Sequence, residues 1–277
     1  MVDIFGSSRR QGKRGLQGPA GPPGEGLSSF FFSKQLAQWL YENLSFSCFF
    51  KDKRSGLVID KDKIIGIKNQ VGDNHAVAIN KFKLLIKIPD YGYGVEMNKS
   101  LYRIDDLDWA IGLNSKAIFF FAFKIDAWPK TLEYIFHSGN SDRAIYLKGT
   151  NLVIQACKRP QHHYMIPYKQ NTWNICFIEF NNSESLKSRY MINDLKGDFI
   201  TEKSQSLERV VYIGGKDNYY FKGVLARFDF YSNFTDEGEV MGDLPDSIKT
   251  SVINQLYSLE VNDKERESKR RRKDLTE

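Results

Sequence analysis

Between residues 46 and 235 apolar side chains come in short runs, broken by polar turns. The runs include Leu57–Asp60, Ile64–Ile67, Ala76–Ile79, Phe82–Ile88, Ala117–Ile125, Leu132–Phe136, Ala144–Leu147, Asn151–Gln155, Trp173–Phe180, Arg189–Ile192, Val210–Ile213 and Gly223–Tyr231. Turn residues separate them at Gly72–Asn74, Gly139–Asn140, Gly149, Lys196–Asp198 and Gly214–Gly215. Evenly spaced period-two runs with polar turns predict antiparallel strands. No helical pattern alternates with them, which disfavours an α/β fold. The expected class is therefore all-β, an antiparallel jelly-roll sandwich over 46–235, and the spacing does not change near residue 98.

The flanks have other periods. Phe32, Leu36, Trp39, Leu40 and Leu44 recur at helical spacing behind a candidate N-cap, Ser33, so residues 27–45 are read as a helical neck. Ile248, Val252, Leu256 and Leu259 predict a second helix inside the C-terminal segment 236–277, ending in a charged tail. In that tail, Lys269, Arg270, Arg271, Arg272 and Lys273 form a candidate nuclear-import signal. Ahead of the neck, Gly12, Gly15, Gly18, Gly21 and Gly24 open five consecutive Gly-X-Y triplets, GKR-GLQ-GPA-GPP-GEG. Only glycine fits the axis of three wound polyproline-II chains, so this spacing predicts a collagen-like stalk over 12–26 behind a disordered anchor at 1–11. A triple helix of roughly 45 Å needs neighbouring domains to hold its chains in register, so a homotrimer is implied.

Within the predicted sandwich the order of elements resembles a laminin-G-like, concanavalin A-like lectin. The residues that carry the likeness are Ile118–Lys124 followed by Tyr134–Gly139, then Arg143–Leu147, Leu152–Gln155, Trp173–Ile178 and Tyr190–Asp194. The most telling pair comes last, Val211–Gly215 followed by Tyr220–Tyr231. The resemblance covers about residues 100–235 and implies a carbohydrate-binding module with its site in the rim loops. Loops that mix Asn or Asp with aromatic residues suit sugar hydroxyls and the C–H face of a sugar ring. On that basis the candidate ligand residues are Asn140, Asp142 and Arg143 in one loop, His162, His163 and Tyr164 in a second, and Asp217, Asn218 and Tyr219 in a third. The resemblance allows calcium at the loop rim, with Asp142 and Asp217 as candidate ligands; no other cofactor is expected. The glucanases of this class need two carboxylates on one side of a sheet, about 5.5 Å apart. Glu133, Glu179 and Asp194 are isolated in the sequence, and there is no nucleophile elbow, P-loop or dinucleotide fingerprint, so no catalytic residues are expected.

Charge and cysteines sharpen this picture. The net charge is +6, but residues 1–26 carry four basic and two acidic groups, and residues 264–277 carry seven and four. Five of the six net charges thus lie in the two ends, and a nucleic-acid-binding face on the body is not expected. Three cysteines, Cys48, Cys157 and Cys176, argue against a disulfide scaffold, and Cys176 reads as a core thiol. MVDIFGSSRR has no apolar centre of the kind a secretory leader carries, and no run of 18 apolar residues predicts a membrane span.

A stalk, a lectin-like head and a basic nuclear-type tail together resemble a viral fibre or spike. The opening MVDIFG…GPAGPPG and the aromatic stretch from Trp39 to Phe50 are also similar to collagen-stalked proteins of insect DNA viruses and Polinton-type elements. The expectation is a trimeric, non-enzymatic virion attachment protein, assembled inside the cell and in some settings in the host nucleus, that recognises a glycan or surface protein. The alternatives are a secreted or extracellular-matrix collagen-like lectin and, third, a glycan-cleaving enzyme.

Overall fold

In a computed structural model the described residues are 46–49, 57–60, 63–69, 75–79, 95–105, 116–139, 143–182, 187–201, 210–232 and 244–254. The Gly-X-Y triplets, the predicted neck, the run Phe82–Ile88, Asn140, Asp142 and the basic cluster at 269–273 lie outside the described residues.

The strands in chain order are β1 (Phe46–Phe49), β2 (Leu57–Asp60), β3 (Lys63–Ile67), β4 (Ala76–Ala78), β5 (Val95–Met97), β6 (Tyr102–Asp105), β7 (Lys116–Lys124), β8 (Glu133–Ser138) and β9 (Ala144–Lys148). They continue as β10 (Asn151–Gln155), β11 (His163–Pro167), β12 (Asn174–Asn181), β13 (Ser188–Ile192), β14 (Leu195–Phe199), β15 (Val210–Ile213), β16 (Gly215–Lys216), β17 (Tyr219–Tyr220) and β18 (Gly223–Ser232). They form an antiparallel β-sandwich. One sheet runs β1-β18-β7-β12-β13-β14, with β5 sharing the β1 edge of β18. The other runs β11-β10-β9-β8-β15-β6-β4-β3-β2, with the β16–β17 hairpin attached to β8 by one parallel pair, Tyr220 to Tyr134. Strands from 46–98 therefore hydrogen bond into both sheets.

The core between the sheets is built on phenylalanine. Phe119, Phe121 and Phe123 of β7 point inward, and Phe119 meets Phe136, Phe180, Phe228 and Phe230 with ring centroids 5.0–5.9 Å apart. Phe136 of one sheet stacks on Phe228 of the other at 4.4 Å. Offset and edge-on contacts of this kind add about 1 kcal/mol per pair beyond area burial. Cys176 lies fully inside this core, and burial pushes its thiol well above the usual range.

The strand β7 is buried on both faces, because its alternate residues face a second apolar layer. Ile118, Phe120, Trp173, Ile175, Phe177 and Met191 pack with Leu244, Ile248 and Val252 of the C-terminal helix at 246–254. That helix is anchored electrostatically as well. Lys249 Nζ lies 2.9 Å from Glu179 Oε2, and Arg189 grips the same buried carboxylate through Nε and Nη2.

One turn differs from the sequence expectation. Lys196–Asp198 is not a turn but the middle of β14; the chain reverses at Asn193–Asp194, between the paired residues Ile192 and Leu195. Asn193 has φ +53°, which asparagine tolerates, and its Oδ1 accepts the Ile175 N–H. The strand has glycine at 197 because a Cβ there would lie 2.6 Å from the Tyr190 hydroxyl.

Candidate functional site

The outer face of the second sheet carries a row of polar-tipped rings, whereas the outer face of the first mixes apolar side chains with buried ion pairs. The register explains it. Arg103 of β6 pairs with Tyr212 of β15, Tyr212 with His137 of β8, and His137 with Ala144 of β9. Beside that row, Tyr134 pairs with Tyr146, Tyr146 with Val153, and Val153 with Met165. A bulge between Tyr134 and Phe136 lets Tyr134 and His137 share the outer face although they are three residues apart.

The rings form a connected chain. His163 is edge-on to Tyr146 at 6.4 Å, Tyr146 packs on Tyr134 at 5.0 Å, Tyr134 is edge-on to His137 at 6.0 Å, and His137 lies flat on Tyr212 at 4.7 Å and 11°. His163 Nδ1 is within 3.4 Å of the Tyr146 hydroxyl, and its Nε2 is 3.2 Å from the Cys157 carbonyl. The neutral ring that satisfies both donates from Nε2 and accepts at Nδ1.

The β16–β17 hairpin is planted on this floor. Lys216 Nζ stands 5.2 Å over the Tyr134 ring, a cation–π distance. Gly214, at φ +91°, starts the excursion where a side chain would strike the Ser100 carbonyl. Asp217 takes φ +53° at the tip, and Asp217, Asn218 and Tyr219 are exposed. Burial raises the phenol pKa of Tyr134, with Asp217 and Tyr219 adding to it, and burial also raises that of Tyr146. Burial is the largest influence on His137 as well and lowers its pKa; Lys216 adds to this, while the Ser138 and Gly215 backbones and Asp217 oppose it.

The seven described sequence candidates are thus separated. Asp217, Asn218 and Tyr219 stand together at the hairpin tip, and His163 lies at the far end of the same ring chain. His162 closes a 3-10 turn at Pro160–His162, where its N–H donates to the Arg159 carbonyl. Two candidates make contacts inside the fold. Arg143 is 2% exposed: its guanidinium lies over Phe180, and Nη2 donates to Asn182 Oδ1 at 2.6 Å. Tyr164 turns towards the core, packs on Phe199, and its hydroxyl accepts the Ile200 N–H at 3.0 Å, tying edge strand β11 to the end of β14. Among the described residues no group of His, Cys, Asp or Glu is arranged to hold a metal ion, and no helix is long and apolar enough to cross a membrane.

Sequence reasoning missed Tyr134, His137, Tyr146 and Tyr212, because inside apolar runs they read as core. The available signal was alternation: these polar-tipped rings occupy positions facing away from Ile135, Ile145 and Ile213.

No protein-family model matches the sequence, and no curated protein matches it. Its likeness is structural. The binding domain of botulinum neurotoxin DC in complex with rat synaptotagmin II superposes with a TM-score of 0.52 at 13% identity, over 78% of this chain and 52% of that one. A receptor-binding domain gives a TM-score of 0.54 at 13% identity, over 80% and 53%. The botulinum neurotoxin DC binding domain in complex with SialylT gives 0.51 at 12% identity, over 78% and 52%. The chain therefore shares the β-sandwich fold with binding domains and spans about half the length of the chains it matches.

Proposed function

We propose that this protein is a non-enzymatic binding module that engages a glycan or a glycosylated cell-surface protein through the β16–β17 hairpin and the ring chain beneath it. The observation that carries this reading is the hairpin itself: Asp217, Asn218 and Tyr219 are held out at its tip, and its base is fixed to the buried Tyr134 by Lys216. Exposed carboxylate and amide groups beside an aromatic ring supply hydrogen bonds for sugar hydroxyls and a flat surface for a sugar's C–H face. The laminin-G-like resemblance supports the same reading. So do the structural neighbours, one in complex with rat synaptotagmin II and one with SialylT. The described carboxylates do not favour a glycan-cleaving site: Glu179 is locked by Arg189 and Lys249 on one sheet, while Glu133 accepts the Lys222 N–H on the other.

The wider proposal is a homotrimeric attachment protein of a virion, with the Gly-X-Y segment as the stalk. Three heads on one stalk multiply weak single-site affinities through effective concentration. A secreted collagen-like lectin is the second reading, favoured by the same triplets.

The test is a glycan array probed with the full chain and with the Asp217→Ala/Tyr219→Ala pair. Binding that is lost in the pair supports the reading, and binding that survives it moves the site elsewhere. Sedimentation of the full chain tests the stalk: a trimer is expected, and a monomer overturns it.

A further inference from the structure

We infer that strand β14 is a self-association edge, pairing antiparallel with β14 of a second copy of this chain about a two-fold axis at Gly197. The inference stands apart from the binding role proposed above and needs no ligand.

Strand β14 closes the first sheet, and among the described residues only β13 pairs with it. The β13–β14 hairpin turns on two residues, Asn193 and Asp194, so its closing pair, Ile192 and Leu195, exchanges both backbone hydrogen bonds. Alternation then turns the peptide groups of Gly197 and Phe199 towards β13, and those of Lys196, Asp198 and Ile200 towards the open side. The Ile200 N–H accords with this, since it donates to the Tyr164 hydroxyl on β11, 3.0 Å away. Lys196 and Asp198 are both exposed. An open row of peptide groups is a template for another strand.

Charge selects the occupant and the register. A two-fold axis at Lys196 sets two lysines directly opposite each other, and one at Asp198 sets two aspartates opposite. An axis at either end of the strand leaves most of it unpaired. Only the axis at Gly197 puts Lys196 opposite Asp198 of the second copy, and it does so twice. Directly opposed unlike charges favour a strand pair, and like charges oppose it. The same register brings Leu195, which is 45% exposed, opposite Phe199 of the second copy on the inner face. At the axis the two glycines meet without side chains, and the space a Cβ of Gly197 would take is already filled by the Tyr190 ring. Lys187 lies 3.9 Å from Asp198 with both side chains exposed, a contact worth little and easily exchanged. The patch is thus self-complementary, as a two-fold interface must be. One short strand pair makes a small interface, so the association depends on concentration.

Sedimentation of the full chain over a rising concentration series tests the edge. The wild type is expected to grow beyond the base state that the Gly-X-Y segment sets, whether that is a monomer or a trimer, so failure of the stalk does not decide this result. Lys196→Asp and Asp198→Lys each turn two attractive pairs into two repulsive ones and should weaken the growth about tenfold. Neither exposed substitution should alter unfolding by more than about 0.5 kcal/mol. An equimolar mixture of K196D and D198K should associate again, because an edge with two carboxylates then meets an edge with two ammonium groups. A wild type that does not grow, single variants that associate as it does, or a mixture that fails to recover overturns the inference. Amide exchange in the wild type gives a check that needs no variant. The Lys196 and Asp198 amides should slow as concentration rises, while those of Leu195 and Gly197, already bonded to β13, should not; any other pattern refutes the pairing.

Discussion

The two outer faces of this sandwich solve the same problem in opposite ways. Each sheet must cover the side that does not meet the other sheet. The first covers it with a helix: Phe120, Phe177, Ile118 and Trp173 receive Leu244, Ile248 and Val252, beside the buried ion pairs of Glu179 with Lys249 and Asp229 with Arg227. The second covers it with its own rings. Tyr134, Tyr146, His137 and Tyr212 lean on one another, and each keeps a polar atom. The Tyr134, Tyr146 and His137 rings of the second face are themselves buried yet each carries a polar atom, and the β16–β17 hairpin joins that sheet beside β8.

The sharpest way to break this contrast is to attack the lid. Val252 is fully buried between helix and sheet, so Val252→Asp puts an unpaired charge into an apolar contact and should cost about 4 kcal/mol. Urea unfolding measures it; a loss under 1 kcal/mol would mean the helix is not part of the stable fold. Lys249→Ala leaves Glu179 with Arg189 alone and should cost about 2 kcal/mol, the worth of a hydrogen bond to a charged group. Arg189 is half exposed and water can reach its side of the carboxylate, which keeps this cost below that of Val252→Asp.

How much of this was legible in the chain depends on what each residue had to advertise. The strand Lys116–Lys124 was plain, because a run buried on both faces shows no polar interruption. Leu195–Phe199 was hidden by Lys196, Gly197 and Asp198, which look like a turn; glycine is there for the Tyr190 hydroxyl, a contact no local pattern reveals. Tyr102–Asp105 was missed because only two of its four residues are apolar. Of the candidate site, the hairpin tip was readable from its polar, aromatic composition. The ring floor was not, since it exists only once β8, β9 and β15 are in register and a bulge in β8 turns Tyr134 and His137 to one side. The inner contacts of Arg143 with Phe180 and Asn182, and of Tyr164 with Phe199, were not legible either, because they join residues far apart in the chain.

A smaller effect separates the faces by pH. A buried imidazole whose pKa is lowered takes up its proton more readily in the unfolded chain than in the folded one. Stability should therefore decline as pH falls below about 6.5, the ordinary histidine value, and level off once pH has passed the folded value. Thermal unfolding of the wild type between pH 7.5 and pH 5.0 should show this slope, and His137→Phe should flatten it. An unchanged slope in that variant would assign the acid sensitivity to another group.

The smallest expected change in stability is at the hairpin tip, and that is why it is informative. Tyr219 is 42% exposed, and truncating it should alter unfolding by less than about 0.5 kcal/mol, as for other surface substitutions. Tyr134→Ala, one layer below, removes a buried ring packed against Tyr146 and His137 and should cost appreciably more. If the second face exists to present a surface, Tyr219→Ala should weaken ligand binding while folding stays intact, whereas the helix-covered face should contain no position with that profile. Binding and unfolding measured on the same Tyr219→Ala protein decide the matter: a variant that folds normally and binds normally would leave the ring chain as packing alone.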